Sequence, residues 1–443
     1  MRNSILALLL CTLLATGAAA QPSRHDLQRN PLLCAANHVA YPWNDANLPR
    51  LTPPPAGYEP FYIDHYGRHG SRWLSTAADY TDPIEPLAKA ERKGLLTARG
   101  RQLLAQLRAV QQASHRRTGE LSDVGAEQHQ AIARRMYERF PQVFSGQVTV
   151  EARSSVVIRC ILSMLNETST LAALNPNISF VTDASEHDMH ITAWKNADNP
   201  RSNALRRSMD KVSDCYQQAV ASSRFVNALV SDTAYAADSI DAQRLMRDVF
   251  DVAGSLQNHH AFDPMSLLDY FTPDERYQLW RAANIYWYTH SANAVANGGR
   301  MPYVERDLLA HMVATADSVI ACHGRGATLR FGHETCLLPL ACMLEIDNAN
   351  YSTACLDSLD YNWQCYNYFP MGCNIQLVFY RPCKKGTGNK PGDVLVKVLL
   401  NEQEARLPFK TKTWPYYRWS DLRDYYYRKA HTPIDWTIAA PHP

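Results

Sequence analysis

Hydrophobic and polar positions along the chain follow two periods. "QVTVEARSS" (147–155) alternates strictly and reads as a strand. "FYIDHY" (61–66), "ISFVTD" (178–183), "ATLRFGHE" (327–334), "NIQLVFYR" (374–381) and "DVLVKVLL" (393–400) are short runs rich in aromatic and branched residues, and also read as strands. The last two flank "PCKKGTGNKPG", which predicts a hairpin with a loose loop. Other segments carry the helical period. Leu103, Leu104 and Leu107 share one face of "TARGRQLLAQLRAVQQ", and Ile132, Met136 and Phe140 are spaced by four in the next such segment. "TDPIEPLAKAERKG" has Pro83 at a helix start and Gly94 at its stop. "VVIRCILSMLNETSTLAAL" follows the alternating strand as a further helix.

Strands separated by helices predict an α/β fold: a sheet-centred core with helices on both faces. Between about 190 and 315 the strand signal disappears and the chain turns helix-like and polar, with aromatic patches such as "YQLWRAANIYWYTH". This stretch reads as an inserted α-helical cap, 190–315, in a core formed by 21–189 and 316–443. The Pro-rich lead-in 21–55 is expected to be irregular. The tail "WPYYRWSDLRDYYYRK" is expected to end in a helix packed on the core.

Composition narrows the class. The chain has 443 residues, with 46% hydrophobic and 20% charged residues and a formal net charge of +2. Nothing global attracts nucleic acid or a membrane surface, so any affinity for anions is local. Arg2, the apolar run "ILALLLCTLLATG" and the small residues before Gln21 read as an export leader cleaved after Ala20. The mature chain is therefore expected to be soluble and periplasmic or secreted. Of eleven cysteines, Cys11 leaves with the leader, and ten in an exported chain favour disulfide bridges together with some buried thiols. None forms a C-x-x-C, so no metal site is expected, and no cofactor.

Three segments beyond strand ends carry candidate chemistry, where open α/β sheets bind ligands. "RHGSR" sets Arg68 and Arg72 around His69. Guanidinium forks match phosphate oxygens, and two nearby cations disfavour a third charge on the imidazole, leaving it neutral and nucleophilic. "ARSSVVIR" offers Arg153 to close the clamp, with Arg159 behind it. "FGHET" supplies His333 as a further donor and Glu334 as an acid and base. A metal-binding reading of the last segment fails, because Leu337 stands where H-E-x-x-H needs histidine.

The ordered set "RHGSR", "LTARG", "LSDVG", "RSSVVIRCILS", "GHET" and the late hairpin resembles the histidine phosphatase superfamily, in its acid-phosphatase and phytase branch. The overall look is similar to secreted bacterial multiple inositol-polyphosphate phosphatases. Those typically carry His-Ala-Glu, and other members of the branch His-Asp; this chain has His333-Glu334-Thr335. The resemblance implies an α/β core with a helical cap before the second histidine. It implies hydrolysis of a small phosphomonoester, an inositol polyphosphate such as phytate, through a phosphohistidine on His69. Catalytic His69, His333 and Glu334 and substrate-binding Arg68, Arg72 and Arg153 are the expected site. A broad-specificity acid phosphatase, a phosphoglycerate-mutase-like isomerase and a non-catalytic phosphate binder are the alternatives. Arg201, Arg206, Arg207 and Lys211 of the cap read either as a solvated helix face or as the lining of a pocket for a polyanionic substrate, and His65, Lys93 and Arg325 are similar candidates.

Overall fold

The computed structural model describes residues 21–194, 199–383 and 390–437. One mixed sheet runs through the molecule. Its strands are β1 (Tyr58–Arg68), β2 (Val148–Ser154), β3 (Ile178–Asp183), β4 (Gly326–Gly332), β5 (Asn374–Pro382), β6 (Leu395–Leu400), β7 (Gln403–Glu404) and β8 (Tyr417–Arg418). Their order is β3-β2-β4-β1-β5-β6-β7, with β8 pairing β6. The first four strands in that order are mutually parallel, and β5 and β6 run antiparallel as the expected hairpin. Its connecting loop, 384–389, lies outside the described residues. The parallel pairing of β1 with β4 brings two of the candidate segments together. Its register sets Arg68 opposite Gly332, so the two strands end side by side.

Both faces of the sheet are covered. Ile63, Val150, Ala152, Leu329 and Phe331 face the helices Asp123–Arg139 and Ile158–Leu174, through Ile132, Met136, Cys160 and Met164. Tyr62, Tyr66, Leu377 and Phe379 face the other layer, which includes the helices Arg306–Ala321, Glu334–Leu344 and Trp419–Ala430. The aromatic tail does pack on the core: Trp419 is buried edge-on to Phe379 at 5.0 Å. Between β3 and β4 the described chain forms helices and no strand. The expected cap limits at 190 and 315 fall inside the helices Met189–Thr192 and Arg306–Ala321.

Two expectations are corrected. The lead-in is not irregular throughout: Pro22 and Pro31 each open a helical segment, Pro22–Arg29 and the 3-10 segment Pro31–His38, at positions where a missing N–H costs nothing. No disulfide joins any of the ten cysteines among the described residues. Cys34, Cys160, Cys336, Cys342, Cys365 and Cys373 are buried and pack as small apolar side chains. No helix among the described residues is long and apolar enough to cross a membrane.

"LTARG" and "LSDVG" turn out to be one device used twice. Thr97 and Ser122 cap their helices by accepting the backbone N–H of Gly100 (3.0 Å) and Gly125 (3.2 Å). Each glycine then admits a foreign backbone. A Cβ on Gly100 would lie 2.2 Å from the Leu229 oxygen, and one on Gly125 would lie 2.2 Å from the Ser71 oxygen. Gly125→Ala is therefore expected to lower unfolding free energy in urea by roughly 1–3 kcal/mol. Gly392→Ala, where a Cβ meets nothing within 4 Å, should change it by less than about 0.5 kcal/mol. Equal effects would contradict the close approach.

Candidate active site

The loop after β1 is held by its own backbone. Arg68 N donates to the Cys373 oxygen (2.8 Å), His69 N to the Gly332 oxygen (3.0 Å), and Gly372 N to the His69 oxygen (3.0 Å). Gly70 N donates to Ser163 Oγ (3.1 Å) and Ser71 N to Gln128 Oε1 (2.9 Å), while the Ser71 oxygen accepts from Ser122 N (2.9 Å). Ser71 Oγ, 2.6 Å from Asn258 Oδ1, ties the loop to the helical segment between β3 and β4. Gly70 is required here: a Cβ would sit 2.5 Å from the Gly125 oxygen. A loop so completely bonded presents its side chains in one geometry.

His69 is buried, and its Nδ1 lies 2.9 Å from the Gly70 oxygen. A carbonyl only accepts, so Nδ1 carries the proton and Nε2 keeps its lone pair. Burial, then Arg68, Arg159, Arg72 and His333, hold this imidazole well below its usual pKa. It is thus neutral in mildly acidic water, with Nε2 free to bond an electrophile.

Nε2 faces Glu334 Oε2 at 3.8 Å. Glu334 is the first residue of the helix after β4. Its Oε2 also lies 3.0 Å from Arg68 Nε, an ion pair whose angle leaves that N–H without a hydrogen bond. Burial pushes the Glu334 pKa up, but Arg68, Arg72 and His333 outweigh it and hold the carboxyl at about 2. His333, at the end of β4, packs edge-on to His69 with ring centroids 5.6 Å apart. Its Nε2 is 3.3 Å from Ser155 Oγ, and burial with the nearby arginines lowers its pKa to about 4 against the pull of Glu334. Ligand atoms of His69, His333 and Glu334 lie within 4.8 Å of one another. That is within reach of a metal ion, yet Arg68, Arg72 and Arg159 surround them, a donor set better matched to an anion.

The guanidinium groups are under-used. Arg68 is fully buried; its Nη1 donates to the Phe369 oxygen (2.8 Å) and its Nη2 has no partner. Arg72 donates through Nη1 to the Trp73 oxygen (2.9 Å), and its buried Nε has none. Burial, then Arg68 and Arg159, push Arg72 down to about 10, with Glu334 pulling the other way. Buried donors without acceptors are costly unless a ligand completes them.

Arg153 does not join this group. On β2 it shares a face with Glu151, and its guanidinium is held by Asp188 (2.5 Å), Glu151 (3.8 Å) and Asp183 (3.9 Å). The third cation beside His69 is Arg159, in the first turn of the helix Ile158–Leu174. Its Nε is buried and unpartnered. A guanidinium at a helix N-terminus opposes the helix dipole, and the two together favour an anion.

Of the other sequence candidates, His65 and Arg325 lie away from the site. His65 is buried within β1 with neither ring nitrogen bonded. Arg325 sits before the start of β4, at the opposite end from Gly332. Lys93 lies over the Tyr235 ring and Arg206 over Trp194. Arg207 and Lys211 are exposed. Three contributors escaped the sequence reading: Ser155, and Asn37 and His38 from the 3-10 segment. Asn37 Nδ2 donates to Glu334 Oε1 at 3.3 Å. Burial, then Arg72 and Arg68, lower His38 to about 3, against the pull of Glu334.

Neither a protein-family profile nor a curated protein sequence matches the chain. Solved structures do. The apo form of Bifidobacterium longum multiple inositol polyphosphate phosphatase superposes with a TM-score of 0.74, at 18% identity over 88% of this chain and 96% of that one. The phytase from D. castellii gives 0.62, at 15% identity over 96% of this chain and 91% of that one. Klebsiella sp. ASR1 phytase gives 0.52, at 12% identity over 86% of this chain and 100% of that one. At such identities the likeness establishes the shared α/β fold with its helical segment.

Arg159→Ala is expected to weaken inorganic phosphate binding, measured by calorimetry near pH 6, by roughly 10- to 100-fold. Arg153→Ala should leave it within about twofold. The reverse ranking would return Arg153 to the site.

Proposed function

We propose that this chain is an exported histidine phosphatase that hydrolyses phosphomonoesters through a phosphohistidine on His69. The observation that carries the reading is the open lone pair of a neutral, buried His69 among three guanidinium groups and one carboxylate. Solved neighbours with the same fold, named as inositol polyphosphate phosphatases and phytases, support it. Export rests on the leader-like sequence 1–20, which lies outside the described residues.

Substrate phosphate enters between Arg68, Arg72 and Arg159, displacing Glu334 from Arg68. His333 adds a donor to a phosphoryl oxygen. The guanidinium groups balance charge on the equatorial oxygens as the transition state forms. Glu334, ionised in the free site, takes the proton of the bound phosphomonoester monoanion, because the resulting dianion replaces it on the arginines and its pKa rises. His69 Nε2 then bonds to phosphorus, the ester P–O bond breaks, and Glu334 delivers that proton to the departing alkoxide. In the second step Glu334 removes a proton from water, the water oxygen bonds to phosphorus, and the P–Nε2 bond breaks. His69 returns neutral, and the departing phosphate carries away the proton on Glu334 as the carboxylate settles back on Arg68. Arginines supply the positive charge throughout.

Inositol polyphosphates are the proposed substrate class. Support comes from the B. longum enzyme, whose structure has been solved with inositol hexasulfate. Phytate should therefore exceed sugar phosphates and aryl phosphates in kcat/KM; a preference for aryl phosphates alone would favour a broad acid phosphatase.

His69→Ala should abolish phosphate release while circular dichroism and thermal unfolding stay near wild type. Full activity in that variant would end the proposal. The pH profile is a second check. A lowered imidazole pKa keeps the ring neutral until the pH falls below it, so kcat/KM should hold down to about pH 4, where His333 protonates. It should fall above roughly pH 6, where a phosphomonoester loses the proton that Glu334 must borrow. An acid limb at about 6.5 would mean a solvated, ordinary histidine.

A further inference from the structure

A carboxyl group that serves as acid in one step and base in the next must offer the same oxygen both times. Glu334 has a long side chain, and rotation of its carboxyl would exchange the two oxygens. They are not equivalent here. Oε2 lies 3.0 Å from Arg68 Nε and 3.8 Å from His69 Nε2. Oε1 is turned toward the N-terminal segment, where Asn37 Nδ2 donates to it at 3.3 Å. We infer that Asn37 is a positioning residue for the acid, holding Oε1 so that Oε2 alone gives and takes the proton. The inference rests on the reading of Glu334 as that acid and adds to it a residue 297 positions away in sequence.

The segment is built to hold that amide still. Ala36, immediately before Asn37, has φ 49° and ψ −112°, a conformation that residues with a Cβ rarely adopt. Such geometry persists only where surrounding contacts impose it, and it recurs at functional sites. The contacts are present on both sides. Ala35 packs on Gly254, where a Cβ would come within 2.9 Å of the Ala35 Cβ. Ala40 N donates to Gln257 Oε1 (3.0 Å), and the His38 oxygen accepts from Asn258 Nδ2 (2.9 Å). The same Asn258 bonds Ser71, two residues from His69. On the other side Met371 N donates to the Val39 oxygen (2.7 Å), next to the Gly372 N–H that holds the His69 oxygen. The amide and the nucleophile are therefore referenced to the same two anchors.

The amide acts on one oxygen only. While it donates to Oε1, a proton on that oxygen gains nothing and points away from the phosphorus. A proton on Oε2 points at the bond being broken. Other charged and titratable groups facing Glu334 are Arg68, Arg72 and His69 from the β1 end, His333 beside it, His38 next to Asn37, and the Cys160 and Cys373 thiols. None of them is placed against Oε1.

Three variants test this: Asn37→Ala, Asn37→Asp and, for reference, Glu334→Gln. The readout is kcat and kcat/KM for an alkyl phosphate and for p-nitrophenyl phosphate, from about pH 3 to 8, with the inhibition constant of inorganic phosphate. Asn37→Ala should lower kcat/KM roughly 10-fold for the alkyl ester, whose leaving group needs a proton, and less than about threefold for the aryl ester. Phosphate inhibition should stay unchanged. Asn37→Asp, nearly the same shape, puts a second carboxylate beside Glu334. A like charge favours the protonated acid, so the alkaline limb of kcat, which reports the acid within the substrate complex, should move up by about one pH unit. A merely structural role would lower both esters equally and leave the limb in place, and that result overturns the inference. If Glu334→Gln is impaired on the alkyl ester and both Asn37 variants behave as wild type, the inference alone falls. If Glu334→Gln itself turns over the alkyl ester normally, the acid is another residue and both readings fall.

Discussion

Arg68, Arg72 and Arg159 are drawn together beyond the carboxyl ends of the central strands β1 and β4 with one carboxylate, Glu334, among them. Like charges in a region of low dielectric repel strongly, and burial strips Arg68 and Arg72 of the hydration that would otherwise screen them. The cluster is tolerable because Glu334 neutralises part of it and because a dianion can neutralise the rest. Unpartnered nitrogens on all three arginines mark where that second charge belongs. In the free protein Glu334 stands in for the missing anion, which is why its carboxyl is held at about 2 although it is buried. The proposed reaction uses the exchange directly: the substrate evicts the carboxylate and thereby makes it a usable acid.

Such a cluster needs a rigid support, and the fold supplies one. Parallel pairing of β1 with β4 ends both strands at one height, so the residues after Arg68 and Gly332 leave the sheet together. The loop carrying His69 is then pressed onto a helix start through Gly70 and Gly125, with no room for a side chain on either. Hydrogen bonds donated to Ser163, Gln128 and Asn258 fix its remaining groups against three separate segments. Fixed donors need no reorganisation when charge develops, which is where such sites gain most. Several local rules are broken near the site. Ala36 is left-handed, Arg159 opposes a helix dipole, and the arginines keep unmade bonds.

How much of this could be read from the residues depends on whether the information is local. The strands and the main helices were legible, because their periods repeat over short windows. The "RHGSR" loop was legible because its chemistry is contiguous. Arg153 was misplaced for a reason also present in the sequence: Val148, Val150 and Ala152 alternate with Thr149, Glu151 and Arg153. That alternation puts Arg153 on a face with Glu151, and the structure pairs them. Arg159 looked remote because it lies beyond the strand, yet the first helical turn folds it back toward His69. Asn37 and His38 carried no signal, since they reach the site from a segment that only tertiary packing brings near Glu334. The cysteines misled because an export context says nothing about which thiols are buried in an apolar core.

Catalysis as proposed requires an anion site that Glu334 fills until a phosphate arrives. A crystal structure of the protein soaked with tungstate, a tetrahedral stand-in for phosphate, addresses that claim most directly. Tungsten should be found between Arg68, Arg72 and Arg159, within bonding reach of His69 Nε2, with Glu334 Oε2 released from Arg68 Nε. Glu334 still seated on Arg68, with tungstate bound away from His69, would contradict it.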